Sequence, residues 1–216
     1  MARISIGLSG YSYKAWQGPT RFYPPDIKAA GFLRYYATRY PTVELDGIWY
    51  RLPTDNAVRN WINETPPDFI YAPKAHREIT HVRRLKPEGL PTLKAMLDRL
   101  TPLHKAGKLG PVLLQLPPNF KRDDERLAAF LGALPTAYRW AMEFRHDSWH
   151  AEPVEQLLRD HGVAWGLSMR LATGRTAMCI VNMKTKDRPG YGPTSSCGCF
   201  DWHGKSGEAF PWARMS

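Results

Sequence analysis

Apolar residues along this chain recur in two alternating rhythms. Short apolar runs of strand length occur at 4–9 (ISIGLS), 42–45 (TVEL), 69–74 (FIYAPK), 110–117 (GPVLLQLP), 139–144 (RWAMEF) and 163–167 (VAWGL). Between them lie segments whose apolar positions return at helical spacing: 32–40, 56–64, 90–107, 122–134 and 152–162. End signals support these helices. Asp55 or Asn56 is placed to cap the second, and acids open the fourth, where the helix dipole favours them. Pro153 sits in the first turn of the fifth, and Gly107 and Gly162 follow the third and fifth. The run at 110–117 has no polar position before Gln115, which predicts a strand covered on both faces.

Strand–helix units repeated five times and followed by a sixth strand predict a parallel sheet with helical crossovers. Two architectures compete, a doubly wound open sheet and a (β/α)₈ barrel. No G-x-G-x-x-G follows the first strand, which lowers the weight of the nucleotide-binding open sheet. A barrel ordinarily takes about 250 residues, and 216 is short for one. From about Met169 the rhythm fades. Residues 176–183 (TAMCIVNM) can form one more strand, whereas 184–207 is rich in Gly, Ser, Lys and Pro and reads as irregular.

Composition narrows the function classes. With 43% apolar residues the chain can bury a sizeable core. The net charge of +10 suits attraction to phosphate or other anions, and equally suits solubility alone. No apolar stretch nears the roughly 20 residues of a membrane helix, and MARISIGLSG lacks the apolar region of a secretory signal, so a cytoplasmic location and no membrane partner are expected. The three cysteines, Cys179, Cys197 and Cys199, all lie in the last fifth. An odd count argues against a disulfide framework. The C-x-C pair has only His203 nearby as a further zinc ligand, so two incidental thiols are the stronger reading.

Five stretches carry a family resemblance: IGLSGYSYKAWQGPTRFYP (6–24), YPTVELDGIWYRLP (40–53), FIYAPKAHREITHVRRL (69–85), LGPVLLQLPPNF (109–120) and AMEFRHDSW (141–149). In these the chain resembles the DUF72, or YecE-like, proteins, with the stretches in the family's order. The resemblance implies a TIM-barrel-like fold and a bacterial or archaeal cytosolic protein, and it implies no established activity. The tail departs from the family pattern. Related chains continue after the sixth strand with an Asp-bearing strand end, a Y-x-R-x-H-G-like strand end and a last strand rich in Tyr and Asn. Here the sixth strand ends WGLSM, and DWHGKSG (201–207) is a faint echo at best. The expected fold class is therefore α/β, a TIM-barrel-like parallel (β/α) barrel. Its body is 1–168, and 169–216 is an atypical C-terminal segment. The tail is either an irregular lobe that packs over the sheet or the product of a reading-frame shift near Thr176, which would account for the lost periodicity. Such a shift would leave the barrel incomplete after the sixth strand, with an exposed edge.

In a parallel barrel, function collects at the carboxyl ends of the strands. Mapped onto this chain, those ends hold Ser9 with Tyr11, Tyr13 and Trp16 beyond it, Glu44 with Asp46, Tyr50 and Arg51, Lys74 with His76 and His81, Gln115, and Glu143 with Arg145, His146 and Trp149. Side chains alternate along a strand, so if Met142 and Phe144 face the helices, Glu143 faces inward, and Glu44 between Val43 and Leu45 does the same. Two inward carboxylates and an inward lysine make a proton-transfer set, because burial raises a carboxylate pKa and a lysine lowers it. Glu44, Lys74 and Glu143 are the expected catalytic residues. Tyr11, Trp16, Arg51, His76, His81, Gln115, Arg145, His146 and Trp149 are the expected substrate contacts. The competing structural reading is a buried ion-pair network of Glu44, Lys74, Glu143 and Arg145.

His76, His81, His146 and the two glutamates would hold a divalent metal only if they converged, and no metal or cofactor is assigned. Lys14, Arg21, Arg51, His81, Arg83, Arg84 and Arg145 are placed to ring the mouth, which suits an anionic small molecule. Three functions compete: a small-molecule enzyme, a nucleic-acid-binding or processing protein using basic, aromatic-rich stretches such as 11–23 and 49–51, and a non-functional product with a damaged tail. The sequence does not reach the oligomeric state.

Overall fold

The computed structural model describes residues 5–170, 176–181 and 197–202, with side chains described through 166. Eight strands form one sheet: β1 (Ser5–Ser9), β2 (Thr42–Leu45), β3 (Ile70–Pro73), β4 (Val112–Gln115), β5 (Trp140–Glu143), β6 (Ala164–Arg170), β7 (Thr176–Val181) and β8 (Cys197–Trp202). Their spatial order is β3-β2-β1-β8-β7-β6-β5-β4. The α-helices are α1 (Phe32–Ala37), α2 (Asp55–Asn63), α3 (Leu90–Lys105), α4 (Asp124–Gly132) and α5 (Glu152–Asp160). Thr54, rather than Asp55 or Asn56, caps α2, its hydroxyl accepting the Ala57 amide at 3.2 Å. The helix therefore starts one residue before the expected 56–64 segment. Asp123 caps α4 in the same way, accepting the Arg126 amide at 3.0 Å.

The pairs β1–β2, β2–β3, β4–β5, β5–β6 and β1–β8 are parallel. The architecture is α/β with parallel strands and helical crossovers, and among the described residues no closed barrel is found. The strands β3 and β4 stand at the two ends of the order. No continuous ladder joins them; their contact consists of isolated parallel bridges, Tyr71 to Leu109 and Lys74 to Leu113. Gly110 sits at this approach, where its amide donates to the Tyr71 carbonyl at 2.7 Å. A Cβ on Gly110 would fall 2.7 Å from Ile70 Cγ2 and 2.9 Å from that carbonyl oxygen, so the close approach requires glycine.

The tail corrects two expectations. The sheet does not stop after the sixth strand, and 184–207 is not wholly irregular, because it contains β8. Of the contacts the tail adds, β6–β7 and β7–β8 are antiparallel and β8–β1 is parallel, so β7 alone runs the other way. Gly198 and Asp201 dilute the apolar signal of CGCFDW, which is why alternation did not reveal that strand.

The sheet has two unlike faces. On one, Val43, Leu45, Tyr71, Leu114, Met142, Phe144 and Trp165 pack with helical residues such as Val58, Leu97, Leu127 and Val154 in the main core. On the other, Ala72, Leu113, Ala141 and Ala164 form a small separate cluster. Trp149 belongs to the main core. It is fully buried, stacks on Phe144 at 4.8 Å, meets Phe120 edge-on, and donates its indole N–H to the Phe120 carbonyl at 2.6 Å. Trp149→Ala is expected to lower stability by about 3–5 kcal/mol, read as a shift of the urea midpoint. Little change in that midpoint would mean the ring does not fill this space.

Candidate functional site

Alternation and register together place the polar residues. Ser9 pairs with Glu44, Glu44 with Ala72, Lys74 with Leu113, and Gln115 with Glu143. Partners in a parallel ladder share a face, and residues two apart on one strand do too. Ser9, Glu44, Lys74, Gln115 and Glu143 therefore form one polar layer on the inner face, at the carboxyl ends of β1–β5. The alanine-rich cluster lies on the same face, Ala72 pairing with Glu44 and Leu113 with Lys74. All five are buried, Glu143 to 1% and Glu44 to 3% exposure. Unpaired polar groups are costly at such depth, and the partners are visible. Gln115 donates its side-chain amide to Glu143 Oε2 at 2.7 Å, and Arg145 donates Nε–H to Glu143 Oε1 at 3.0 Å.

Proton affinities move as burial dictates. Burial pushes the Glu44 carboxyl up to about 7, with the Lys74 ammonium opposing and Glu143 and Asp46 adding to the rise. Burial pulls Lys74 down, against the attraction of Glu44 and Glu143. The two groups thus approach each other in proton affinity, which is what proton transfer requires.

The loops after the strands complete the surroundings. After β1, Gly10 takes φ +74°, and a Cβ there would lie 2.7 Å from Tyr13 Oη. That turn brings the Tyr13 hydroxyl to 2.8 Å from Asp46 Oδ2 and 3.0 Å from the Ser9 carbonyl, to which it donates. Burial, then Asp46, raises the phenol's pKa, so it stays protonated. After β2, a 3₁₀ turn over Asp46–Trp49 presents the Trp49 indole. Lys74 Nζ lies 5.9 Å and Arg77 Cζ 5.5 Å from its ring centroid, and the His81 ring meets it edge-on at 5.0 Å. After β3, residues Glu78–Val82 form a π-helical turn, followed by Arg84 and Leu85 at φ 49° and 64°. Such unfavourable backbone persists only where surrounding structure imposes it. Here Leu85 is buried, and Arg84 reaches Asn119 Oδ1 at 3.2 Å.

The expected site residues divide into three groups. Glu44, Lys74, Glu143, Gln115 and Arg145 come together, and His81 joins them through Trp49. Tyr11 and Trp149 are turned to packing. The Tyr11 hydroxyl accepts the Trp61 indole N–H at 3.0 Å, and Tyr11 packs against the main core. Trp16 is half-buried against Tyr13, Phe22 and Tyr23. His76 and His146 serve locally: each Nδ1 accepts a backbone amide two residues on, from Glu78 and Ser148. Arg51 is exposed. Among the described residues no three His, Cys, Asp or Glu side chains gather as a metal would need. His203 and the side chains of Cys179, Cys197 and Cys199 lie outside the description. Sequence reasoning missed Trp49 as a hub and missed Arg77. The available signal was position, since each lies within five residues of a strand end. No helix among the described residues is long and apolar enough to cross a membrane.

Comparisons with known proteins bear on family and fold. The family model described as "Protein of unknown function DUF72" matches residues 5–207. The UPF0759 protein YunF of Bacillus subtilis is 33% identical over 167 residues, covering 72% of this chain and 55% of that protein. The UPF0759 protein YecE of Escherichia coli K12 is 32% identical over 164 residues, covering 74% and 55%. The chain therefore spans about half the length of these curated relatives. A crystal structure of a DUF72 family protein from Thermotoga maritima superposes with a TM-score of 0.64 at 30% identity, over 75% of this chain and 63% of that one. A second, from Enterococcus faecalis, gives 0.60 at 22% identity over 76% and 60%, a likeness of fold alone.

The raised Glu44 pKa has a consequence for stability. Between about 4.5 and about 7 the native state holds a proton on Glu44 that the unfolded chain releases. The contribution of Glu44 to stability is therefore fully present below that window and falls as pH rises through it, by on the order of 3 kcal/mol. Glu44→Gln is expected to flatten this part of a stability–pH profile measured by urea unfolding. An unchanged slope in the variant would show that Glu44 titrates at its ordinary value.

Proposed function

This chain belongs to the DUF72 family, and on that premise we propose that it is a small-molecule enzyme performing general acid–base chemistry on a polar or anionic substrate. The observation that carries the reading is Glu44, buried beside Lys74 with a proton affinity near neutrality, in the same layer as Glu143. A carboxyl poised near 7 serves as proton donor and acceptor alike at working pH. Lys74, lowered by burial, is its natural exchange partner. Glu143, held by Gln115 and Arg145, is the second carboxylate, fixed in orientation. His81, Gln115 and Arg145 are the polar contacts closest to this set. The fold that goes with the proposal is a TIM-barrel-like one, supported by the bridges between β3 and the approach to β4. The location that goes with it is the cytoplasm.

Two other readings have observations in their favour. The charge of +10 and the aromatic, basic loop at 11–23 favour a nucleic-acid-binding or processing protein. Such binding would fall steeply with salt. The reversed β7, in an otherwise parallel sheet, favours a C-terminal segment from 169 onward that departs from its relatives, as a frame shift near Thr176 would produce. A damaged product would lack a cooperative unfolding transition.

The deciding experiment begins with a thermal-shift screen against phosphates, sugars, nucleotides and divalent metals, because a ligand of the native state raises its melting temperature. Turnover of the hits is then followed in the parent chain and in Glu143→Gln. The expected result is a variant that unfolds cooperatively yet loses turnover by about a hundred-fold or more. Full activity in Glu143→Gln would remove Glu143 from the chemistry.

A further inference from the structure

We propose that the rim around Trp49 is a binding site for a phosphomonoester-class dianion attached to a flat or apolar body, with Lys74, Arg77 and Arg145 supplying the positive charge and Tyr50 the apolar platform. The inference deepens the acid–base reading and rests on it for what happens to the ligand afterwards.

The first argument is the crowding of cations at one indole. Lys74 Nζ and Arg77 Cζ lie 5.9 and 5.5 Å from the Trp49 ring, and the His81 ring lies 5.0 Å away. Like charges do not gather without something to balance them. His81 registers the field they make. Burial, then Lys74, Arg145, Arg77 and Arg84, pull its pKa down to about 4, so at neutral pH it is an uncharged ring beside four cations. Among the described residues the facing carboxylates are Glu143, Asp46 and Glu44. Glu44, near 7, is only about half ionised at neutral pH. Among the described residues four cations thus face three carboxylates, which suits an anion at this rim. A phosphate group, with several acceptor oxygens, can be met by more than one of these cations at once.

The second argument is unused hydrogen-bonding capacity. The Trp49 indole N–H is shielded from water and has no hydrogen-bond partner among the described residues, whereas the Ser9 hydroxyl is turned to Glu44. A buried donor of this kind ordinarily has a partner, and an orphan at the mouth is what a polar ligand would satisfy. The third argument is the apolar surface beside the cations. Tyr50 is 71% exposed and packs edge-on against Trp49 at 4.6 Å; Val82, the residue after His81, is also exposed. A large aromatic left in water beside a cationic cluster fits a ligand with an anionic end and an apolar one. The strained turn at Arg84 and Leu85 then holds the cation-bearing loop in place.

The test uses the full chain with inorganic phosphate and phenyl phosphate as probes, followed by calorimetry and by the His81 ring signals in NMR. Saturable binding of both is expected, with His81 titrating at higher pH once phosphate is bound. Phenyl phosphate should bind more tightly. Arg77→Gln, at an exposed position that leaves the core untouched, should weaken both probes about ten-fold. Tyr50→Ala should reduce phenyl phosphate to the affinity of inorganic phosphate. A His81 response no larger than that to chloride of equal ionic strength would overturn the proposal. So would tighter binding of a single-stranded oligonucleotide without terminal phosphate, which would assign the rim to nucleic-acid phosphodiesters. The outcome separates from that of the acid–base reading. Phosphate binding with full turnover in Glu143→Gln would sink the latter alone, and lost turnover without phosphate binding would sink this inference alone.

Discussion

Placing Glu44, Lys74 and Glu143 out of water in a single layer is the constraint around which the rest of this molecule is arranged. Removing a charge from solvent costs several kcal/mol per ion unless partners replace the water. The replacement here is uneven. Glu143 receives two directed hydrogen bonds, from Gln115 and Arg145, and Arg145 keeps contact with solvent at 26% side-chain exposure. Glu44 has mainly the field of Lys74 to set against burial, so its proton affinity rises instead. The layer therefore contains one carboxylate fixed by hydrogen bonds and one carboxyl free to change its charge. A buried ion-pair network built only for stability has no need of that difference.

The sheet makes the layer possible. Parallel register carries an inward position from strand to strand, so alternation puts Ser9 with Glu44, and Gln115 with Glu143, on one face. Beside them on that face, Ala72, Leu113, Ala141 and Ala164 form a buried apolar cluster. The loops at the carboxyl ends then bring Asp46, Trp49 and His81 over the top. Packing on the helical face holds the strand ends still, with Trp149 stacked on Phe144 directly behind Glu143.

How far this could be read in advance differs from element to element. Six strands and five helices were legible because apolar periodicity is a local property, and the inward direction of Glu143 followed from Met142 and Phe144 on either side of it. Trp149 was misleading for a physical reason. It follows a polar run, but by that point the chain has turned back through a 3₁₀ turn, and the indole enters the core rather than the mouth. His76 and His146 sit at strand ends as a site would require, yet their ring nitrogens satisfy amides two residues away, a local bond that no spacing rule displays. The hub at Trp49 was not legible because it depends on contacts among three separate loops. Nor was β8, whose glycine and aspartate weaken its strand signal and whose place between β1 and β7 is set by tertiary pairing.

The central claim is that Glu44 changes charge near neutrality inside a dry layer. The most direct measurement is a carboxyl ¹³C NMR titration of the native chain, with the Glu44 signal assigned by its loss in Glu44→Gln. The account predicts a midpoint near 7 for Glu44. A Glu44 midpoint at the ordinary glutamate value, near 4.5, would contradict it, because the layer would then be open to water and the carboxyl no different from one on the surface.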